Sequence, residues 1–531
     1  MPKITINERD LTTVAIDNIT DNVAYIPGYA ITGPINTPTL CRTLAEFQSK
    51  FGYLPYEFKN TYTYANAGFT TLSDKVFIAK GQREKSYIYA AELLKKGLPV
   101  LFERVMDTTT ATSFIAKAEV EGITIAAKYS GVAGTYINYM ISGTAGAYTL
   151  KIKVDAPADS GIKSTSEITY DISINADGIL TPVVSDYITV SYTHSGDELP
   201  DIPTTVPVTW YALSIADSSA DELTPGQFYT ALQNADFFKR LSDKNEYQIK
   251  FITSGGYPTL EYANYSIVTN MLKASATRGD CISILDHANI TDRAIIGDSS
   301  LQSLVSNIPS INVGEGVNIE DARRYGTVFT PYATFAIDTL DGASEELPGS
   351  FSYLISLAAS IQTNPNWYAV AGVTRGLVPN LLQLSQNVTG AIADALQPEI
   401  GISINPITNI KPYGYCIWGN RTLNNNDKGL IASSFLNIRM LANDVKKVVY
   451  AAAKKLTFEL NTDILWLNFK AEIEPTLDKM VSGNGLTGYR ILRKATTKRA
   501  TIEAVIRLFV VEAVEDWDIT IELSDTTVTV Q

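Results

Sequence analysis

Histidine and cysteine are nearly missing from this sequence, which removes most metal and nucleophile chemistry at once. Of 531 residues, two are His (His194 and His287) and three are Cys (Cys41, Cys281 and Cys416). The cysteines lie far apart, so they make neither a disulfide framework nor a zinc pattern. Buried or neutral thiols, formed in a reducing compartment, are expected instead. The two imidazoles lack any metal-ligand spacing. His287 follows Leu285-Asp286 at a predicted strand end, where an α/β enzyme can carry a catalytic residue. The competing expectation, a solvated or core-edge imidazole, is adopted here.

Nucleotide and hydrolase motifs are missing too. Gly131-Val132-Ala133-Gly134 lacks the Lys of a phosphate loop. Neither Ser254-Gly255-Gly256 nor Gly483-Asn484-Gly485 is such a loop, and no G-x-S-x-G elbow occurs. The acidic groups Glu345-Glu346 and Glu515-Asp516-Trp517-Asp518 read as wet surface or strand-edge charge. No catalytic residue, cofactor or metal is expected. No run of about eighteen apolar residues exists, so no membrane insertion is expected. The opening MPKITINERD has no apolar signal region, which argues against a secretory route. Charged residues are 19% of the chain, with a formal net charge of −13. That excess of acid argues against a general nucleic-acid surface; Lys494, Lys498 and Arg499 form one small basic patch.

What is present is 45% hydrophobic, the composition of a folded protein with several large cores. Residues 1–25 read as an extended arm, with Ile4 and Ile6 alternating with Thr5 and Asn7. Pro27-Gly28 and Gly33-Pro34 mark turns around an apolar strand, Tyr29 to Ile31. A helix over Thr43 to Phe51 stops at Gly52, and another over Tyr87 to Lys96 stops at Gly97. The run Leu98 to Phe102 follows as a buried strand, the order of a layered α/β core. From about Ala118 to Ala212 the runs ITIAAKY, YTLKIKV, ITYDISI and YITVSYT alternate at strand period. They predict a small all-β insertion on the surface. Beyond Leu213 the α/β pattern returns: a helix from Thr224, a strand Ile249 to Thr253, a helix Ile267 to Ala276, a strand Cys281 to Leu285, and a helix Gly349 to Gln362.

The last 131-odd residues divide into a strand-turn segment, a helical pair and a β tail. Within GISINPITNIKPYGYCIWGNRTL (Gly401 to Leu423) Gly and Pro punctuate short β-branched runs. From about Ser433 to Leu456, Phe435, Ile438, Leu441, Val445, Val448, Val449, Ala452 and Leu456 form one helical stripe. Asn461 or Thr462 can cap a second helix bearing Leu465, Trp466, Phe469, Ile473 and Leu477. Pro475 is expected to kink or restart that helix. Ala504 to Val511 reads as a strand covered on both faces. After it, Trp517, Ile519, Ile521 and Leu523 alternate with polar residues, giving a strand with one apolar face that invites an edge partner.

These residues carry a resemblance. INPITNIKPYGYCIWGNRTL, the helix bearing FLNIRML, and LWLNFKAEIEPTLDKMVSGNGLTGY resemble the signature of contractile-tail sheath proteins. NPNWYAVAGVTRG (Asn364 to Gly376), KYSGVAGTYINYMI, ITINERDLTTV and IPGYAITGPINTPTLCRTLAEFQSKFG resemble further segments of that family. The resemblance implies an α/β (α+β) multidomain chain with a discontinuous core built from both ends. The expected order is an arm (1–25), a first core part (26–117), an all-β surface domain (118–212) and an inserted α/β domain (213–363). A C-terminal core domain (364–513) and a second arm (514–531) complete it. Trp367, Arg375, Trp418 and Trp466 are expected as core anchors. An aromatic pair beside an Arg, at Trp367-Tyr368 and Arg375, could also be a ligand site or stack on a base; the resemblance favours the anchor.

The implied function is structural. Sheath subunits form sixfold rings stacked around a tail tube, between a baseplate and a terminator, and contraction drives the tube through an envelope. Assembly in a host cytoplasm, a place in a virion tail and release by lysis would follow, with neither nucleic acid nor membrane as a direct partner. Ile4, Ile6, Trp517, Ile519, Ile521 and Leu523 would exchange strands between subunits. A sheath from a genome-free bacteriocin or injection system is the alternative. An α/β enzyme with a β-rich accessory domain is the alternative from another class.

Overall fold

The computed structural model describes residues 22–64, 76–144, 146–193, 199–203, 209–216, 221–260, 265–288, 295–297, 300–311, 321–427, 429–496 and 500–515. An eight-stranded sheet runs through it. In chain order its strands are β1 (Ala24–Gly28), β2 (Thr39–Cys41), β3 (Val100–Arg104), β4 (Phe251–Ile252), β5 (Ile282–Leu285), β6 (Gly326–Thr330), β7 (Asn405–Ile410) and β8 (Gly414–Ile417). Across the sheet the order is β2-β3-β1-β4-β5-β6-β7-β8. From β3 to β7 all neighbours are parallel. The two outer strands, β2 and β8, are antiparallel to theirs.

A parallel sheet needs cover on both faces, and the sequence supplies it. Tyr25, Leu101 and Ile252 point to one face, against Ile267, Met271 and Leu272 of helix Ser266–Arg278 and Phe228 and Leu232 of helix Pro225–Gln233. Ala24, Ile26, Phe102, Phe251 and Ile284 point to the other, against Phe47, Ile88, Leu354 and Met440. Three of those four side chains sit on helices Leu44–Phe51, Lys85–Lys95 and Gly349–Ser360. The caps follow the sequence: the Thr43 side chain accepts from the Glu46 amide, and the capping box Thr224/Gln227 opens its helix.

Three sequence expectations change. Residues 1–21 of the expected arm lie outside the described residues, and Ala24 and Tyr25, its last members, sit fully buried in a central strand. Pro27-Gly28 ends that strand rather than marking a turn, and no strand covers Tyr29 to Ile31. The ladder to β4 involves only Ala24 and Tyr25, so Pro27 interrupts nothing on that side. Lastly, residues 213–363 are not an α/β domain of their own. Their strands β4, β5 and β6 occupy the middle of the sheet, between strands from the N-terminal and C-terminal parts.

Between Lys117 and Ala212 the strands pair among themselves, in sheets of four and three strands. Ile125, Ile141, Leu150, Ile152, Ile172 and Ile188 make a separate apolar core there. At the root, Lys117 and Ser214 bridge each other, with N–H to C=O distances of 2.9 and 3.3 Å. A buried charge cluster braces this root. Arg104 donates to Ser130 O at 2.8 Å and pairs with Glu222 at 3.1 Å, and Glu222 Oε1 accepts from Val132 N at 2.9 Å. Arg104, at the end of β3, is fully buried, so this pairing is required of it.

The C-terminal ends of β4 and β5 carry the groups an enzyme would use, and they are sealed. Asp286 accepts from Ser350 Oγ at 2.6 Å and Ser350 N at 3.2 Å, at the start of helix Gly349–Ser360. Burial pushes this carboxyl up to about 7, although the Ser350 and Ser254 hydroxyls partly offset it. His287 meets Thr330 Oγ1 at 3.1 Å and Ala288 O, and burial lowers it to about 4. It is a buried, neutral imidazole rather than a solvated one. Gly255 comes so close to the end of β1 that an added Cβ would stand 1.9 Å from Pro27 O, at a φ of +70°. The Gly255 backbone thus packs directly against the end of β1. All three cysteines are buried, and burial raises Cys281 and Cys416 to about 11 and Cys41 to about 12.

Two outcomes test this architecture. Replacing residues 118–213 by an Asn-Gly link between Lys117 and Ser214 should leave a cooperatively folding protein. The loss of the Ser130 and Val132 contacts should cost about 1–3 kcal/mol; aggregation, or a melt without a transition by circular dichroism, would show that the β unit is integral to the core. The second concerns Asp286. Its folded pKa lies above the unfolded value of about 3.9, so the native state holds the extra proton between about pH 4 and 7. Stability therefore falls as pH rises through that window. Asp286→Asn keeps the neutral shape, so denaturant titrations should shift in its favour, relative to the parent, by up to about 4 kcal/mol from pH 4 to pH 8. A pH-independent difference would refute the assignment.

Candidate assembly surface

After β8 the chain builds a helical pair and a hairpin on one side of the sheet. Helix α1 (Leu436–Lys455) follows a short 3-10 turn, and helix α2 (Asp463–Ser482) is capped by Thr462, whose side chain accepts from Leu465 N. Pro475 stands inside a single uninterrupted α2, contrary to the expected restart. The sequence stripe of α1 is buried as expected, at Ile438, Leu441, Val445, Val448 and Ala452.

A second, polar face of α1 is buried as well, and the apolar pattern gave no sign of it. Lys250 Nζ pairs with Asp444 at 2.7 Å, Lys447 Nζ donates to Ile249 O at 2.8 Å, and Asn443 Nδ2 donates to Cys281 O at 3.3 Å. These groups meet the leading ends of β4 and β5. Backbone carbonyls at strand starts lack ladder partners and need donors when buried. Helix α1 supplies them, which is why charged residues are buried there.

Strands β9 (Leu486–Lys494) and β10 (Glu503–Val510) form an antiparallel hairpin. Its inner face, with Ile491, Ile506, Leu508 and Val510, packs on Leu441, Val449, Ile473, Leu477 and Met480 of the helices. Its outer face stays exposed at Leu492, Arg507 and Phe509. The run Ala504 to Val511 is therefore covered on one face, not two. Two strands bury one face against helices but cannot cover the other, and β10 alternates accordingly. Among the described residues each strand pairs only with the other, so each presents one unpaired edge. At the far end of the helical pair Phe458, at a φ of +73°, stands exposed beside exposed Leu460, Ile464 and Leu467.

The expected anchors separate on inspection. Trp367 is half-buried, donates from Nε1 to Gly483 O at 2.8 Å, and lies flat on the Gly483-Asn484-Gly485 turn. A Cβ at Gly485 would stand 2.7 Å from its ring, so the turn needs glycine for this approach. Arg375 is half-buried, stacked 4.9 Å over Tyr368 and bonded to Ala369 O at 3.1 Å. Trp466 is half-buried and stacks on Phe469 at 5.6 Å. Trp418 is no core anchor: it is 41% exposed, on the rim of a groove. It stands just past the end of β8, between buried Ile417 and Gly419. Ile4, Ile6, Trp517, Ile519, Ile521 and Leu523 lie outside the described residues. Glu515, expected as wet surface, is exposed and ion-paired with Arg421, a residue that the sequence gave no reason to select. No group of metal-ligating side chains occurs among the described residues. No described helix is long and apolar enough to cross a membrane.

No protein-family model matches the chain. A tail sheath protein of the Vibrio phage KVP40 is 29% identical over 143 residues, which is 27% of this chain and 20% of the phage protein. The match thus spans about a fifth of that relative's length. A sheath tail protein from Listeria innocua superposes with a TM-score of 0.53 at 10% identity, covering 93% of this chain and 99% of that one. Another, from Desulfitobacterium hafniense, covers 96% and 100% with a TM-score of 0.47 at 11% identity. One segment of this chain is thus similar to a phage tail sheath protein, and its fold is similar to that of a sheath tail protein.

Proposed function

We propose that the chain is the subunit of a helical sheath that encloses the tube of a contractile phage tail and shortens to drive that tube through an envelope. The observation that carries this reading is the hairpin β9–β10: one face is packed and both outer edges are unpaired among the described residues. An unpaired edge is a template for a strand from another chain. The residues that would supply such strands are Ile4 and Ile6 on one arm, and Trp517, Ile519, Ile521 and Leu523 on the other. Sixfold rings, a tube, a baseplate and a terminator are the partners this reading implies. Assembly in the host cytoplasm and a final place in the virion tail belong to it as well. The phage relative favours a virion over a genome-free injection system.

Energetics suit a linkage that survives motion. Burying one Ile or Leu side chain contributes about 1.5–3 kcal/mol, and each ladder bond about 0.5–1.5 kcal/mol net. Ordering each residue costs about 1–2 kcal/mol, so one arm alone is close to balanced. Two arms per subunit, repeated through a lattice, make the connection durable by multivalency. Sheet ladders at the arms persist while the core sheets rotate as rigid bodies. Small differences in interface energy, summed over many subunits, are enough for a bistable array.

Removing residues 516–531 should leave a folded subunit that forms no tubes in negative-stain micrographs. Changing both Ile519 and Ile521 to Asp should do the same by charging the apolar face. Normal tubes from either variant would sink the strand-exchange mechanism.

A further inference from the structure

Where the chain leaves the hairpin it crosses to a groove on the core. This groove, of 320 Å³, is lined by Arg375, Gln397, Trp418, Arg421, Val514 and Glu515 among others. Arg421 lies at its floor, 5% exposed. Its backbone is fixed on three sides: its N–H donates to Asn405 Oδ1 at 2.7 Å, and its C=O accepts from Asn405 Nδ2 and Thr327 Oγ1, both at 2.9 Å. The guanidinium lies 4.8 Å over the Phe435 ring. Nη2 pairs with Glu515 Oε2, whereas the buried Nε and Nη1 have no partner among the described residues. An Arg held this rigidly is preorganised for a carboxylate, because little side-chain freedom remains to be lost on binding.

We propose that Arg421 is a built carboxylate receptor whose occupant is the chain's own Glu515, and that this clasp sets where the C-terminal segment departs from the subunit. Three observations support it. Residues 511–515 form no helix or strand, so their placement depends on side-chain and isolated backbone contacts. The pair joins residues 94 positions apart, tying the exit of β10 to the turn after β8. The pair is partly buried, with side-chain exposures of 6% for Arg421 and 24% for Glu515. Salt screens such a pair much less than a surface pair. The consequence for assembly rests on the arm reading above: an arm that starts from a fixed point reaches one neighbour and not another. The clasp itself does not rest on that reading.

The test is hydrogen–deuterium exchange by mass spectrometry on unassembled full-length subunits. Peptides covering residues 511–515 should keep a protected amide in the parent protein, that of Val511, which donates to Gly485 O. In Glu515→Gln they should exchange at least about tenfold faster, while peptides from α1 and β7 stay unchanged as controls for the fold. Glu515→Asp keeps the charge on a shorter stem and should recover part of the protection. Arg421→Lys keeps a cation without the planar fork and should lose most of it; if that variant fails to fold, Glu515→Gln still decides. Equal exchange in the parent and Glu515→Gln, with unchanged controls, overturns the clasp. Because the readout needs no tubes, it separates failure of the clasp from failure of strand exchange.

Discussion

Everything in this molecule depends on a short ladder at the centre of its sheet, where Ala24 pairs with Val100 on one side and Phe251 on the other. Those three residues come from regions separated by up to 227 positions (251 − 24). Closing such long connections costs entropy that only extensive burial can offset. The burial is there: β1 is buried along its whole length, and the two apolar clusters meet through the alternate side chains of this strand. If the ladder opened, each cluster would lose its wall. The all-β unit between Lys117 and Ala212 can hang from this frame because its two ends leave side by side at Lys117 and Ser214.

The same frame decides how the C-terminal unit is attached. Helix α1 belongs to two packings at once, with Leu436 and Met440 against the sheet and Leu441 and Val445 against α2 and the hairpin. Its buried Asp444, Lys447 and Asn443 saturate groups at the leading ends of β4 and β5. A buried hydrogen-bonded seam has one good geometry, so it holds the hairpin at a fixed angle to the core. A fixed hairpin with open edges is what a lattice linkage needs, because a floating one would spend binding energy on becoming ordered. The Trp367 ring on the Gly483 turn and the Arg421–Glu515 pair brace the same junction from other directions.

The polar groups at the carboxyl ends of the strands are buried. Asp286, His287, Ser254 and Ser350 gather at the carboxyl ends of parallel strands, where open α/β sheets hold ligands. Here Gly255 lets the backbone of the following loop close over β1, and the polar groups satisfy one another. The constellation fastens the sheet to a helix start instead of facing a substrate.

Much of this was legible in the residues alone. Helix starts at Thr43, Thr224 and Thr462, the apolar stripe of α1 and the strands of the all-β unit follow from local pattern and capping, which act over a few residues. The resemblance to contractile-tail sheath proteins likewise lies in contiguous stretches such as WGNRTL. What local pattern could not specify was partnership. The sequence reads β4 and β5 correctly as strands of an α/β pattern and passes over β6, and nothing in them says that they complete a sheet begun at Ala24. A parallel ladder is written in no single segment. Pro27-Gly28 looks like a turn and ends a strand, because its surroundings, not its own propensity, settle the matter. Nothing local marks charged Arg104, Asp444 and Arg421 as buried, since their burial becomes tolerable only when Glu222, Lys250 and Glu515 arrive from remote parts of the chain. Composition, periodicity and capping thus determined most of the elements that form; the tertiary structure alone decided which elements meet, because long-range pairing is fixed by the burial and charge compensation that the whole fold provides.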